Sequence, residues 1–585
     1  MEKEEYTWNL KLIYDNHDAF YHDIEVAKKI LRSLKDYRGI LVQDEKTFLS
    51  FLENKEKLER LLNKLYCYGH LHCDIDPKDQ SLQMIKSTIL SLLDVASVEL
   101  SFVDNEIIAQ DHIIIEYLKN PIFKNYQNKI NELLRYKPHI LSSDKEEMLS
   151  KAGRITDLSS TIFDAMRLEF KDVIIDEKKH PLNSATLNKY LKNENKTVRQ
   201  MAYHNFFEEY QRFENVFAST LAGVMQKDAF YSEIRNFKNP LEASVFDDDV
   251  PSELFHKVLN AANVKYRHLF HDYNKLKKQL LKLDTMHNYD LSVPLVTRKN
   301  HRYEITDSIK NIKAALKPFG QEYLKIIDLA FEERWIDFFP STHKRMGAYS
   351  SGSYDTKPYI LLNYIYDYNS MSTLMHELGH SVHSYLSNQN QNFNNASYRI
   401  FVAEVASIVN ETLLMQHMIK NASTDQEKAA LLYEQLESCV GVLYRQPMFA
   451  DFEYKLHEMA ANNEPLSSKI IVDLYTKLNQ DYYGESVTLD DLTGYSCYYV
   501  PHFYYNFYVY KYTIGMTVAL AIVQRILNGD QNTVEKYLQF LKSGSSASPI
   551  DLLTRAGVNP LDDQIYDDAF QYFGEILNQF KEIML

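Results

Sequence analysis

The sequence predicts a mainly α fold, one large helical body carrying a short run of strands ahead of one particular helix. Three observations lead there. Apolar residues recur at i, i+3, i+4 and i+7 along most of the 585 residues. Glycine (16) and proline (15) are scarce and evenly spread, so few positions break a helix. No Ser/Gly-rich linker, internal repeat or low-complexity tract divides the chain.

Taken in order, the periodicity predicts helices over Ile24 to Leu34, Glu45 to Leu65, Gln80 to Ile108, Asp144 to Leu158 and Ser184 to Tyr210. A short strand-like run, Leu168 to Val173, interrupts them. Residues 1–200 form a first helical region; from 201 to 585 the helices lengthen, and this second region holds the motifs that carry chemistry. Strand signals appear over Arg345 to Asp355 and Pro358 to Tyr364. The first contains small residues that let another backbone approach, and the second is β-rich and bounded by Pro and Asn. Tyr512 to Val523 is apolar but too short to span a bilayer, and fits a buried helix.

Immediately after the strands stands His376-Glu377-Leu378-Gly379-His380. Residues four apart lie one turn above each other on a helix, so His376 and His380 can aim two imidazoles at one ion. Glu404, 28 positions after His376, completes a His₂Glu set that leaves one coordination position of a Zn²⁺ for water. Glu377 then lies beside the metal, placed to take a proton from that water.

The bare pattern arises by chance in about one chain in twenty of this size and histidine content. Its surroundings make it specific. Met371, Leu374, Met375, Leu378, Val382 and Tyr385 form an apolar stripe, with His376, His380 and His383 on the other side, as lining a cleft requires. Glu404, Ser407 and Glu411 share a polar stripe, and Glu411 can accept the free N–H of a ligating histidine. His383 and Leu386 replace the Gly and His of a metzincin, so the motif reads as a zincin whose third ligand is Glu404.

A strand beside the metal helix can hold an extended peptide by strand addition, which makes Gly347, Ala348, Tyr349, Gly352 and Tyr354 candidate substrate-binding residues. Downstream, Pro501 to Tyr512 packs one His and five Tyr into twelve positions. Neutral donors of this kind suit an oxyanion hole. Cys67-Tyr68-Gly69-His70-Leu71-His72-Cys73 looks like a second metal cluster, yet on a helix His72 points away from the others, and the residues read better as half-buried helix positions.

The net charge of −15 argues against nucleic acid and anionic membranes as partners. The charged start, Met1 to Glu5, has no apolar run behind it, so no secretory signal is expected. Four cysteines do not make a disulfide framework at this length, and the cytoplasm is the expected compartment.

These residues together resemble the oligoendopeptidase F branch of the thimet oligopeptidase family of zinc peptidases. The resemblance rests on Tyr6-Thr7-Trp8-Asn9-Leu10, GAYSSGSYDTKPYILLNY (347–364), HELGHSVHS (376–384), FVAEVASIVNE (401–411) and PHFYYNFYVYKYTIG (501–515), and runs along the whole chain. It implies an elongated, two-lobed helical zincin with a deep substrate channel and a small sheet beside the zinc helix. One zinc per chain is implied, with His376, His380 and Glu404 as ligands and Glu377 as base. Tyr510 matches the tyrosine that contacts the scissile carbonyl, with His502 and Tyr508 as accessory donors. The implied substrates are short unstructured peptides cut at internal bonds. Two alternatives remain open: a zinc aminopeptidase, which would want a Gly-x-x-Glu-Asn element where this chain has Gly347-Ala348-Tyr349-Ser350-Ser351, and a helical peptide-binding protein with a structural zinc.

Overall fold

The computed structural model describes residues 4–296 and 301–585; Met1, Glu2 and Lys3 of the charged start lie outside them. The chain is mainly helical, as expected, with seven short strands among the described residues: β1 (Val173–Ile175), β2 (Lys178–His180), β3 (Met286–His287), β4 (Ile336–Asp337), β5 (Tyr349–Ser351), β6 (Tyr359–Leu361) and β7 (Val487–Thr488). No helix among the described residues is long and apolar enough to cross a membrane.

The chain divides into two compact units that alternate along the sequence. The first comprises Met1–Pro138, Asn300–Lys420 and Ile522–Asn559. The second comprises His139–Lys299, Asn421–Ala521 and Pro560–Leu585.

In the first unit, α1 (His17–Lys35), α2 (Glu45–Ile75) and α3 (Gln80–Glu99) pack around one apolar core. Each starts on a side chain that caps it: Asn16, Asp44 and Asp79 accept backbone N–H groups of the first turn. The helix expected over Gln80 to Ile108 stops at Glu99 and restarts as Phe102–Ala109. Ser101 donates its hydroxyl back to the Val98 carbonyl, the local bond by which serine competes with a continuing helix.

The sheet of this unit has the order β4-β6-β5, with β6 parallel to β4 and antiparallel to β5. Tyr359, Ile360 and Leu361 of β6 are all buried, the continuous apolar run of a central strand. Residues of β5 are half-buried, and only one of its edges is paired. The sequence motif at the N-terminus supports this sheet: the Trp8 indole donates to the Ile360 carbonyl (2.7 Å), and Tyr6 accepts from Phe338 N (3.1 Å). The helix α4 (Tyr368–Asn390) lies against it and packs in turn on α5 (Ile400–Lys420).

In the second unit, the helix expected over Ser184 to Tyr210 is two, Ser184–Leu191 and Lys196–Arg212. Asn195 caps the second by accepting from Thr197 N, and its own N–H bonds to the Asn193 side chain. Asparagine earns its place at caps rather than in helix interiors. The helix expected over Asp144 to Leu158 runs Ser143–Thr156, with a separate helix Leu158–Ala165. The strand expected over Leu168 to Val173 begins only at Val173. It turns into β2 through Asp176 and Glu177, both left-handed (φ 50° and 63°), as a two-residue hairpin requires. β3 and β7 pair in parallel.

Candidate metal and catalytic site

The site grows from two helices that touch backbone to backbone. A Cβ built on Gly379 would lie 2.7 Å from the Ala406 carbonyl oxygen and 2.7 Å from Ser407 Cα, so only glycine lets α4 lie this close to α5. Buried Asn410 ties the pair, donating to the Met375 carbonyl (3.4 Å) while accepting from the Tyr323 hydroxyl (2.9 Å). Asp367 caps α4 by accepting from Ser370 N (2.8 Å).

Across this contact three donor atoms converge. His376 Nε2 and His380 Nε2 are 3.1 Å apart, and Glu404 Oε2 lies 3.6 and 3.7 Å from them. In the plane of such a triangle, the point equidistant from its corners lies about 2.0 Å from each, against Zn–N and Zn–O bonds of about 2.0–2.2 Å. The donor set therefore fits a small divalent cation held from one side, and among the described residues it is the one cluster of its kind. The remaining atoms of these side chains are held in place. His376 Nδ1 faces Glu411 Oε2 at 2.9 Å, Glu411 Oε1 accepts from Ser372 Oγ, and Ser407 Oγ donates to Glu404 Oε2 (3.1 Å). Glu411 thus stands where helical spacing puts it, and Ser407 is buried beneath Glu404.

Glu377 is 6% exposed and takes no part in the triangle. Burial pushes its carboxyl up to about 7 against the pull of His376, and the Ser350 N–H donates to it. Burial opposes charge on His376, yet its bond to Glu411 and the nearby carboxylates hold it up at about 9. Burial and the neighbouring His376 bring His380 down to about 4. The apolar stripe lies as expected, with Met371, Leu374, Met375, Leu378 and Val382 buried.

One expectation on this helix is corrected. His383 shares the angular face of His376 and His380 but does not line the site. It is wholly buried, stacked on Tyr398 at 3.7 Å and packed by Phe540, and burial holds it near 3. Helical angle alone placed it with the other two; Tyr398 and Phe540 close that face two turns further along.

The sheet lies against the same helix. Ser350 of β5 places its Oγ 2.8 Å from Ser381 Oγ of α4. Gly347 has φ +85°, a left-handed conformation that favours glycine, and Asn363 donates to the Gly347 carbonyl (2.8 Å). A Cβ on Gly352 would meet the Lys357 carbonyl at 2.9 Å. Tyr349 bonds Asp74 Oδ2 (2.9 Å), and Tyr354 bonds the Gln391 carbonyl (2.9 Å). Ala348 is half-exposed next to this edge.

In the second unit, the aromatic run separates into two faces. Tyr510 is wholly buried against Phe255, and its hydroxyl has no hydrogen-bond partner among the described residues. His502, Tyr508 and Tyr512 keep part of their surface. The Tyr512 ring packs on both of the others, with ring centroids 6.5 Å from His502 and 5.3 Å from Tyr508.

Comparison with known proteins shows the family. The model of peptidase family M3 matches residues 189–572, and that of oligopeptidase F matches 109–168. The chain belongs to peptidase family M3. It is a metalloendopeptidase of the oligoendopeptidase F type, and the resemblance read from its motifs holds along its length. The oligopeptidase PepF of Bacillus subtilis is 33% identical over all of this peptidase and 88% of its own chain. The chromosomal oligoendopeptidase F of Lactococcus lactis subsp. cremoris is 31% identical, covering 99% of this chain and 98% of its own. Among solved structures, oligoendopeptidase F from Enterococcus faecium is 28% identical with a TM-score of 0.74, covering 97% of this chain and 99% of its own. A protein from Chlamydophila abortus is 30% identical with a TM-score of 0.93, covering 99% and 98%.

Proposed function

We propose that this metallopeptidase is a zinc-dependent endopeptidase that cuts internal bonds of short, unstructured peptides. The observation that carries the reading is the convergence of His376, His380 and Glu404 within bonding reach of one point, with Glu377 beside them and the open edge of β5 next to Glu377. One zinc held by these three residues would supply Lewis-acid activation of a water and of the scissile carbonyl. Glu377 accepts the proton of the attacking water and returns it to the leaving amine. Its buried, raised carboxyl suits a group that must both take and give a proton. Glu411 and Ser407 keep His376 and Glu404 aimed.

The peptide lies extended along the open edge of β5, which supports selection against folded domains, since these offer no free strand. Relatives named as oligopeptidases support the same substrate class. The proposed oxyanion donors come from the partly exposed face of the aromatic run, His502, Tyr508 and Tyr512; Tyr510 would have to leave its buried site to join them. A division into a 1–200 region and a 201–585 catalytic region is proposed; two separate family matches, 109–168 and 189–572, support two regions, the second match beginning slightly before that boundary. A cytoplasmic compartment is proposed with it, supported by four buried free thiols.

The test is a digest of a mixed peptide library read by product mass, with native enzyme, chelator-treated enzyme, enzyme reloaded with Zn²⁺, and Glu377→Gln. We expect internal cleavage that chelator abolishes and Zn²⁺ restores. Glu377→Gln retains metal but loses nearly all turnover, because an amide cannot accept the proton. Release of single N-terminal residues as the main product, or full activity in metal-free protein, would refute the proposal.

A further inference from the structure

The Cys67–Cys73 segment, which resembles a metal cluster in sequence, lies on the last turns of α2 with other partners. Among the described residues it forms no metal-ligating group. Cys67 Sγ faces Thr356 Oγ1 at 3.7 Å, and burial pushes its thiol up to about 12. His70 Nε2 lies 3.0 Å from Ser351 Oγ, and the His70 ring packs on Tyr349 with centroids 5.5 Å apart. One turn on, Asp74 is 4% exposed. Its carboxylate accepts from the Tyr349 hydroxyl (2.9 Å) and Arg345 Nη1 (3.2 Å), with His70 Nδ1 at 3.4 Å and Lys86 Nζ at 3.7 Å. Its backbone carbonyl accepts from Arg345 N (2.9 Å). Cys67, His70 and Asp74 are spaced i, i+3 and i+7, so one face of α2 meets the whole segment around β5.

The strand alternates between two helices. Tyr349 and Ser351 reach α2, whereas Ser350 reaches α4 through Ser381 and gives its N–H to Glu377. With β6 paired on one edge, β5 is fixed on three sides and open on the fourth. A carboxylate this deeply buried is costly unless it is paired and hydrogen-bonded, and both of this one's side-chain hydrogen bonds, from Tyr349 and Arg345, come from the strand segment it faces, with His70 and Lys86 as further neighbours.

We propose that His70 and Asp74 are positioning residues for the peptidase reaction. Through Ser351 and Tyr349 they set the place of β5, and with it both the Ser350 N–H that holds Glu377 and the edge along which the peptide lies. The inference rests on the reading of Glu377 as base and β5 as substrate strand. Neither residue touches the reacting atoms.

The test uses full-length, zinc-loaded Asp74→Ala, Tyr349→Phe, their double variant and His70→Gln. Each is measured for kcat and KM on a quenched peptide, zinc content, melting temperature, and hydrogen exchange over residues 347–356. Misplacing catalytic groups by a fraction of an ångström to 1 Å costs up to about 100-fold in rate, so we expect kcat to fall about 10- to 100-fold in Asp74→Ala and Tyr349→Phe. The double variant should be no worse than the poorer single one, because both remove the same bond. Exchange over 347–356 should quicken while zinc content stays equal, and His70→Gln should keep part of the activity by bonding Ser351 in its place. Wild-type kcat with unchanged exchange would overturn the proposal. So would faster exchange with unchanged kcat, or losses that add in the double variant and follow the melting temperature alone. A wild-type enzyme that cleaves no peptide would instead overturn the underlying reading, and exchange over 347–356 would still report whether α2 positions β5.

Discussion

Gly379→Ala sets two effects of opposite sign against each other. Alanine in the middle of α4 would favour the helix by about 1 kcal/mol. The new methyl, however, would sit 2.7 Å from both the Ala406 carbonyl oxygen and Ser407 Cα, which are backbone atoms and cannot rotate away. Restoring ordinary contact requires the helices to part by about 0.7 Å or more, and forced overpacking costs about 1–3 kcal/mol, so the clash wins. The metal set feels the same movement, because its histidines sit on α4 and Glu404 on α5. If Glu404 moves back by that distance, its separations from the histidines grow from 3.6 and 3.7 Å to about 4.3–4.4 Å. The equidistant point then lies about 2.3 Å from each donor, outside the Zn–N and Zn–O range. We expect zinc affinity to fall about 10- to 100-fold, as when groups that orient metal ligands are disturbed, together with a lower melting temperature. Competition with a chromophoric chelator measures the affinity, and a melt of the metal-free protein separates the packing cost from lost metal. A variant with wild-type zinc affinity and an equal or higher melting temperature would refute the reasoning.

Further outcomes follow from individual contacts. Glu411→Ala frees His376 Nδ1 and should weaken zinc retention about 10- to 100-fold, whereas Glu411→Gln, which still accepts a hydrogen bond, should lose less; metal titration distinguishes them. Tyr510→Phe should leave kcat near normal and stability equal or higher, because it removes a buried hydroxyl whose unmet bond costs about 1–3 kcal/mol. Tyr508→Phe and Tyr512→Phe should carry the rate loss, of about 10²–10³ if one is the main oxyanion donor, with KM little changed. Steady-state kinetics beside melting curves checks all three, and a large kcat loss in Tyr510→Phe alone would return that role to Tyr510.

The helical character and the convergent His376, His380 and Glu404 group were legible in sequence because both depend largely on local spacing. His376 and His380 need only the helix repeat, and Glu411 reaches His376 because it lies two turns beyond Glu404. The same rule misplaced His383, since an angle on a helix does not reveal what covers it. Helix lengths were overestimated where Ser101 and Asn195 bond locally to the backbone, a competition that apolar periodicity does not register. Within the aromatic run, composition marked the segment, but which ring faces outward was set by burial against Phe255.

The sequence alone determined that this chain is helical, that HELGH carries two imidazoles on one face, and that Glu404 and Glu411 share a second face, because helix geometry ties positions a few residues apart. Tertiary structure decided what lies between distant segments. It brought α5 against α4 at Gly379, laid β5 beside Glu377, and turned His70 and Asp74 toward the strand. Those contacts join positions about 30 to 300 residues apart, where no repeat along the chain relates one side chain to the other and only the packed core fixes their meeting.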